Sequence, residues 1–231
     1  MTDASAASSA PAGRAAILDA FLALLAERPF EAIGLSDVAE RAGVSLSDLR
    51  GSFGSTFDML SGFVKDVDRR VLDATAADAA EEGELALAAS SRDRLFEVLM
   101  RRLDVLAPHR AAIRSLARSA ARNPMFALAL NRLSVRSQQW MLAAAGIGTS
   151  GLRGGVRAQG LAVAFARVLR TFLDDTDPSL ARTMAALDRE LASGERMLGL
   201  LDGVCRLARC GDRGAGTRRR RSEDEAPAAA I

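Results

Sequence analysis

The sequence predicts an all-helical protein. Ala, Leu and Arg dominate its 231 residues, aromatic side chains make up only 4% and tyrosine is absent, a composition that suits helices better than sheets. Large apolar residues recur at spacings of three and four, the period of one helix face. Prolines stand where these apolar runs stop, as expected of residues that end helices. Every periodic segment between the two ends of the chain is therefore predicted to be a helix.

The first 70 or so residues predict three short helices and one long one. The first helix ends at Pro29, and a short second helix carries Val38 on its apolar face. A third follows Ser45, and a long fourth helix starts near Ser55. This is the order of a small helical domain that continues into a connecting helix.

The remaining helices are separated by clear breaks. Helices ending at Pro108 and Pro124 precede a third one that runs to the glycine-rich turn GIGTSGLRGG, residues 146–155. Residues 174–178 stop the next helix and start the last, whose apolar stripe extends over residues 180–205. Such a stripe requires a partner, either in the same chain or in a second copy.

Composition along the chain predicts the domain organisation. Residues 1–12 and 211–231 contain few large apolar side chains and are expected to be disordered. Residues 13–72 form a first domain and residues 92–210 a second. The Ala- and Glu-rich segment 73–91 is predicted to link them.

The bulk composition excludes several classes of protein. Much of the basic excess behind the net charge of +2 comes from residues 218–221, so global charge decides nothing. Cys205 and Cys210 match neither a redox nor a zinc motif and fit a reducing compartment. With neither a signal-peptide pattern nor an apolar run of about 18 residues, we expect a cytoplasmic protein without a membrane span.

The segment AERAGVS, residues 39–45, predicts a tight turn between two short helices. Ala39 and Ala42 are small enough for two helices to cross closely. Gly43 can take the left-handed conformation, and Val44 can fill the space between the helices. Ser45 then caps the next helix. Together these residues predict a helix-turn-helix.

The longer segment GLSDVAERAGVSLSDLRGSFGSTFDML, residues 34–60, resembles the N-terminal DNA-binding domain of the TetR family of bacterial transcriptional regulators. The resemblance covers roughly residues 14–70. The matching positions, mainly packing residues, are Leu35, Val38, Ala39, Ala42, Gly43, Val44, Ser45, Leu49, Phe53, Ser55 and Leu60. It implies a TetR-like fold, in which a three-helix DNA-binding domain is joined by a long fourth helix to a helical ligand-binding and dimerisation domain.

The resemblance also assigns residues to DNA contact and to the turn. The expected DNA-binding residues are Gly34, Ser45, Leu46, Ser47, Asp48, Arg50, Ser52 and Thr56. The turn and packing residues are Ala39, Gly43, Val44, Leu49 and Phe53. Six positions depart from the family pattern. Gly34 replaces a threonine, Ser47 a glycine and Asp48 a threonine of that pattern. Arg50 replaces a tyrosine, Ser52 a histidine and Thr56 a lysine.

The charge of this region opposes DNA binding. Residues 14–66 contain five basic and eight acidic side chains, a net charge of −3, whereas affinity for a duplex comes largely from neutralising phosphates. Asp48 follows Ser45 in a Ser-x-x-Asp pattern that caps a helix start; alternatively, it accepts a hydrogen bond from a cytosine amino group. Arg50 can bind a phosphate or a guanine edge.

The second domain is expected to bind an apolar ligand and to dimerise. The candidate pocket residues are Phe96, Met100, Leu103, Met125, Phe126, Leu130, Trp140 and Met141. The candidate dimerisation residues are Leu161, Phe165, Val168, Phe172, Met184, Leu187, Leu191, Leu198 and Leu201. Both sets could instead pack the core of the single chain.

The segment RVLRTFLDDTDPSLARTMAALDRELASGERML, residues 167–198, resembles a second relative, the TetR-fold accessory protein of ubiquinone biosynthesis. That resemblance implies a lipid-binding protein without DNA binding, which the acidic first domain would suit. The preferred interpretation remains a ligand-responsive regulator, a repressor that binds a palindromic DNA operator as a homodimer.

Enzyme chemistry is not predicted. His109 is the only histidine and follows Pro108 at a helix start, where a surface or capping role is expected. The sequence has neither a nucleophile elbow nor a phosphate-binding loop, and its metal-ligating residues are not clustered. We therefore expect no catalysis and no cofactor.

Overall fold

The computed structural model describes residues 9–82 and 89–196, and this part of the chain contains helices and no strand. The predicted all-helical class is confirmed. In chain order the helices are α1 (Ser9–Glu27), α2 (Leu35–Ala42), α3 (Leu46–Ser52), α4 (Thr56–Glu82), α5 (Ser91–Leu106), α6 (Arg110–Arg122), α7 (Pro124–Ala144), α8 (Gly151–Asp174) and α9 (181–196). None of the described helices is long and apolar enough to cross a membrane.

The breaks between helices have the causes that the sequence suggested. Turns of 3-10 helix at Phe30–Ala32 and Ala107–His109 follow α1 and α5, each beside a proline. At the start of α7 the Asn123 side chain accepts hydrogen bonds of 3.1 Å from the backbone N–H groups of Met125 and Phe126. The predicted breaks at Pro108 and Pro124 are thus confirmed.

The first three helices, which we call the head, share one hydrophobic core with helices α5–α9, which we call the body. α1 packs on α2 and α3 in the head and on α6 in the body. Where they meet, the rings of Phe30 and Phe126 stack with centroids 4.5 Å apart, and the Ser115 hydroxyl donates to the Arg28 carbonyl over 2.9 Å. Head and body are therefore joined by side-chain contacts as well as by α4.

The structure differs from the predicted linker at residues 73–91. α4 continues to Glu82, so residues 73–82 are helical. The alanines that suggested a frayed segment have the highest helix propensity. In addition, Arg101 of α5 donates to the Thr75 hydroxyl over 2.9 Å and pairs with Asp78, which holds this part of α4 against the body. Residues 83–88 lie outside the described residues.

Two further boundaries differ. α1 begins at Ser9, inside the N-terminal segment expected to be disordered, because the first turn of a helix tolerates Pro11. α8 begins at Gly151, so the second half of the predicted turn 146–155 is helical. Residues 1–8 and the predicted tail 211–231 lie outside the described residues.

Candidate nucleic-acid interface

The turn between α2 and α3 has the predicted left-handed glycine. Gly43 has φ 67° and ψ 30°, a conformation that costs any residue with a Cβ. The Gly43 N–H donates to Glu40 O over 3.2 Å and the Val44 N–H to Ala39 O over 3.0 Å. This pair of bonds is the Schellman ending of a helix. The prediction for Gly43 is confirmed.

α3 starts with a reciprocal cap. The Ser45 hydroxyl accepts from the Asp48 backbone N–H over 3.1 Å, and the Asp48 carboxylate accepts from the Ser45 N–H over 3.3 Å and from its hydroxyl over 2.6 Å. The capping role predicted for both residues is thus confirmed. The Asp48 carboxylate is directed at the start of its own helix, where the helix dipole favours a negative charge.

The inner face of α3 anchors it to the head. Leu49 and Phe53 are each 2% exposed and pack into the same core as Val38 and Ala39 of α2. Val44, at the turn, is half-buried against this core, as predicted. Two apolar side chains four positions apart therefore fix which face of α3 points outward.

The outer face of α3 and its surroundings carry the residues predicted to contact DNA. Leu46 is 54% exposed, and Ser47 and Arg50 lie beside it on the surface. The other predicted positions are exposed or half-buried: Gly34, Ser45, Asp48, Ser52 and Thr56. The structure thus brings the predicted set together at α3 and at the starts of α2 and α4.

Two more carboxylates of this region cap helices in the same way as Asp48. The Asp37 carboxylate accepts from the Gly34 N–H over 2.9 Å at the start of α2. The Asp58 carboxylate accepts from the Gly54 N–H over 2.9 Å at the start of α4. Three of the eight acidic side chains that give residues 14–66 their negative charge therefore lie at helix starts and are partly compensated by the helix dipoles.

Most of the basic residues of this region are engaged inside the head. Arg41 forms two hydrogen bonds of 2.8 and 2.9 Å with Glu27, which lower the pKa of Glu27. Arg28 pairs with Asp37 over 3.3 Å. Arg14 donates to the Ser52 carbonyl over 3.0 Å and lies over the Phe53 ring, 4.1 Å from its centroid.

Arg50 differs from these three arginines. Its side chain is exposed, and it has no hydrogen bond or ion pair with another described residue. Its Nη1 atom lies over Gly54, near the start of α4. Arg50 is therefore the cation on α3 that can meet a phosphate or a base edge without first breaking an internal contact.

The predicted ligand-pocket residues are dispersed. Leu103 and Met141 are fully buried in the core, whereas Met125 and Trp140 are 74% and 60% exposed on the outside of α7. Phe126 stacks on Phe30 of the head. The other three are partly buried against the core: Phe96, Met100 and Leu130. Trp140 thus lies on the surface rather than at the wall of an enclosed cavity, because α7 turns that face to solvent.

Two adjoining clefts lie elsewhere, one between α1 and the start of α6 and the other between α1 and α4. One has a volume of about 200 Å³ and the other about 60 Å³, and both are lined by Asp19, Leu22 and His109. The His109 ring meets Phe63 edge-on at 5.1 Å. Partial burial, and secondarily the nearby Arg70, lower the pKa of His109. Sequence reasoning missed these clefts because their walls come from residues about 90 positions apart, and periodicity gives no signal for such a pairing.

The predicted dimerisation residues lie mostly inside the single chain. Six of them are at most 7% exposed: Leu161, Phe165, Val168, Phe172, Leu187 and Leu191. Their assignment to a subunit interface is therefore wrong, and the alternative, a core of the single chain, holds. An apolar stripe has the same spacing in both cases, so sequence could not separate them. Met184 is 41% exposed, and Leu198 and Leu201 lie outside the described residues.

Comparison with known proteins supports the fold. No model of a protein family matches the chain, and no curated protein matches it. The chain resembles the solved structure of the TetR transcriptional regulator from Nitrosomonas europaea ATCC 19718, with a TM-score of 0.59, 23% identity and coverage of 79% of this chain and 97% of that one. A TetR transcriptional regulator from Rhodococcus sp. RHA1 gives a TM-score of 0.51 at 22% identity, with coverage of 80% and 96%. The protein therefore has a TetR-like fold.

Proposed function

We propose that the protein is a DNA-binding transcriptional regulator that inserts α3 into the major groove of a duplex. The observation that carries this proposal is the mounting of α3. Its cap and its two buried anchors, Leu49 and Phe53, hold the helix rigidly and turn Leu46, Ser47 and Arg50 outward. A short helix presented in this way fits the major groove of B-DNA.

The side chains on and around α3 divide into two roles. Ser47 and Arg50, on the outward face, are proposed to meet base edges, with Arg50 suited to guanine. Ser52 and Thr56 flank that face and are proposed to meet phosphates, which fix register rather than sequence, whereas the Gly34 N–H already donates to the Asp37 carboxylate. Asp48 is assigned to the helix cap, since its carboxylate already accepts two hydrogen bonds from Ser45.

The charge balance of the head sets the kind of binding expected. With a net charge of −3 over residues 14–66 and Arg50 as the unpaired cation of α3, few phosphates can be neutralised. The affinity for unrelated duplex should therefore be weak and depend little on salt. Base contacts and the pairing of two heads would have to supply most of the affinity for a specific site.

A homodimer would present two α3 helices to a palindromic operator about one helical turn apart. The outward face of α8 supports this proposal. Leu152, Val156 and Val163 lie on one stripe of that helix and are 87%, 45% and 41% exposed. Such exposed apolar stripes are typical of subunit interfaces.

The proposed regulator acts in the cytoplasm as a repressor and responds to an apolar ligand in the body. Ligand and operator would then favour different positions of the head. The eight predicted pocket residues do not surround a cavity in the described part of the chain, so the mounting of α3, and not a ligand site, is what favours the regulator over the lipid-carrier alternative.

The test is binding of the purified protein to fluorescent duplex from its own upstream region and to duplexes selected from a random library, at two salt concentrations and with unrelated competitor. Specific binding is expected, and Arg50→Ala should weaken it about tenfold or more, in line with about 1–3 kcal/mol for a base contact. Arg136→Ala, an exposed arginine on α7, is the matched control and should leave binding unchanged. If the random library yields no preferred duplex, the proposal is wrong.

A further inference from the structure

One stripe of α7, which we call its outer face, carries both apolar side chains and arginines on the surface of the body. Its members follow one another at spacings of three and four residues, which places them on one side of the helix: Met125, Leu128, Arg132, Arg136 and Trp140. Met125, Leu128 and Trp140 are 74%, 45% and 60% exposed, and both arginines are exposed as well. The stripe spans about 20 Å at the helical rise of about 1.5 Å per residue.

The other contacts of α7 hold this face in a fixed direction. On the buried side, the Ser137 hydroxyl donates over 2.6 Å to the Asp68 carboxylate of α4, which also pairs with Arg102 of α5. Beside the outer face, the side-chain amides of Asn131 and Gln159 of α8 exchange hydrogen bonds of 3.0 and 3.1 Å. A partner that binds the outer face therefore does not have to order α7 first, which lowers the entropic cost of binding.

The two arginines of the outer face lack anionic partners. Neither Arg132 nor Arg136 has a hydrogen bond or an ion pair with another described residue. The surrounding sequence offers none, because no aspartate or glutamate stands between Asp104 and Asp174, a segment that contains ten arginines. The carboxylates that would complete this face must therefore come from another molecule or from a distant part of the chain.

The residue types of the outer face are those of a protein interface. Trp, Met and Arg are enriched where proteins meet, and Trp and Arg carry much of the binding energy there. Arg132 and Arg136 are one helical turn apart, so carboxylates with the same spacing on a facing helix can pair with both. The exposed ring of Trp140 offers a large apolar surface next to them. Such a face fits a helix that is both acidic and apolar.

The order of residues along the stripe disfavours a lipid surface and a nucleic acid. The arginines lie between the apolar side chains of Leu128 at one end and Trp140 at the other. Insertion of both ends into a bilayer would carry the two guanidinium groups in with them, whereas helices that lie on membranes keep charges on the opposite, polar face. A nucleic acid requires cations that follow many phosphates, and this stripe offers two.

We propose that the outer face of α7 is a docking site for an acidic amphipathic helix of another protein. Two carboxylates four positions apart on that helix pair with Arg132 and Arg136, and apolar side chains beside them cover Leu128 and Trp140. The inference goes beyond the proposed DNA binding and does not rest on it, because α3 contributes nothing to this face.

Trp140 makes the test direct, since it is the only tryptophan in a chain without tyrosine. The probe is a synthetic, tryptophan-free helical peptide of about four turns, with two glutamates four positions apart between leucines. Its titration should shift the Trp140 emission to shorter wavelength as the ring is covered, and added salt should weaken the binding. The same peptide with glutamine in place of glutamate should bind about tenfold or more weakly.

Two double variants locate the binding. Arg132→Gln/Arg136→Gln should weaken the acidic peptide about tenfold or more. The matched control is Arg118→Gln/Arg122→Gln, which removes two exposed arginines of the same spacing from α6 and should change the affinity less than about twofold. All four substitutions are on the surface, so the urea midpoints should stay close to that of the wild type.

Several results overturn the docking site. If the acidic peptide leaves the emission unchanged, or if the glutamate and glutamine peptides bind alike, the face does not recognise carboxylates. If phosphatidylglycerol vesicles or a single-stranded oligonucleotide shift the emission and the peptide does not, the face serves a membrane or a nucleic acid instead. If Trp140→Ala turns a dimer into a monomer in sedimentation, a second copy covers it. Because these measurements contain no operator duplex, their failure is distinguishable from failure of the proposed function.

Discussion

Head and body use their polar residues in different ways. In the head and at the start of α4, the cap carboxylates of Asp37, Asp48 and Asp58 lie three or four residues from the groups they bind, and all are exposed or half-buried. The buried polar and charged residues of the described chain are all found from Asp68 onward. Several of them have partners far away in sequence, as in the contact from Ser137 to Asp68 across 69 positions, whereas Asp175 and Thr183 bind each other across eight.

This difference indicates what each region is built to do. Local caps define where short helices begin and leave the outward side of α3 unconstrained. Buried long-range contacts set the positions of whole helices relative to one another, at the risk of a large penalty when one partner is lost. The head is thus built to present a surface, and the body to hold a position.

The largest effect is expected from breaking the buried contact. Arg102→Ala leaves the Asp68 carboxylate buried without its cation and should lower the free energy of unfolding by about 3–5 kcal/mol. Arg101→Ala, one residue away on the same helix, removes a half-exposed pair and should cost about 1 kcal/mol or less. Urea denaturation measures both. Equal losses for the two variants would show that burial of the unpaired carboxylate does not carry the penalty assigned to it.

Backbone conformation gives the next effect. Gly43→Ala forces a Cβ into the left-handed region and should destabilise the protein by about 1–2 kcal/mol. The control is Gly155→Ala in α8, where the space around a new Cβ is open. Because alanine is the better helix former, this variant should gain about 0.5–1 kcal/mol. Thermal unfolding of the two variants measures both effects, and opposite changes in stability would separate the effect of backbone conformation from that of packing. A stabilising Gly43→Ala would show that the turn does not require glycine.

Ser45 and Ser47 separate the stability of α3 from its proposed contacts. Ser45→Ala removes the cap and should cost about 1 kcal/mol. Ser47→Ala, on the exposed face, should change stability by less than about 0.5 kcal/mol but alter the preferred duplex sequence. Chemical denaturation and a duplex selection on the same two proteins test this. A stability loss shared by both variants would contradict the division of roles.

The same contrast explains what sequence could predict. The turn at Gly43 and the cap at Ser45 depend on neighbours within five residues, so their pattern identifies them. The inward face of Leu161 and Phe172 was mistaken for a subunit interface because periodicity reveals a buried stripe but not what covers it. Asp68 and Arg102 are charges within apolar stripes, a signal that was present in the sequence, but their pairing across 34 positions needed the fold.

The smallest effect is expected where head and body meet, at His109. Partial burial and the neighbouring Arg70 lower the pKa of this histidine below its ordinary value, and Asp19 opposes them. A lowered histidine pKa means that the unfolded chain binds the proton more readily than the folded protein. The contribution of His109 to the free energy of unfolding should therefore be complete above pH 6.5 and decrease as the pH falls below it. In His109→Gln this part of the pH dependence should be absent, with a constant offset for the lost contact with Phe63. Urea midpoints of both proteins between pH 8 and pH 5 measure it, and parallel curves would show that His109 titrates alike in the folded and unfolded chains.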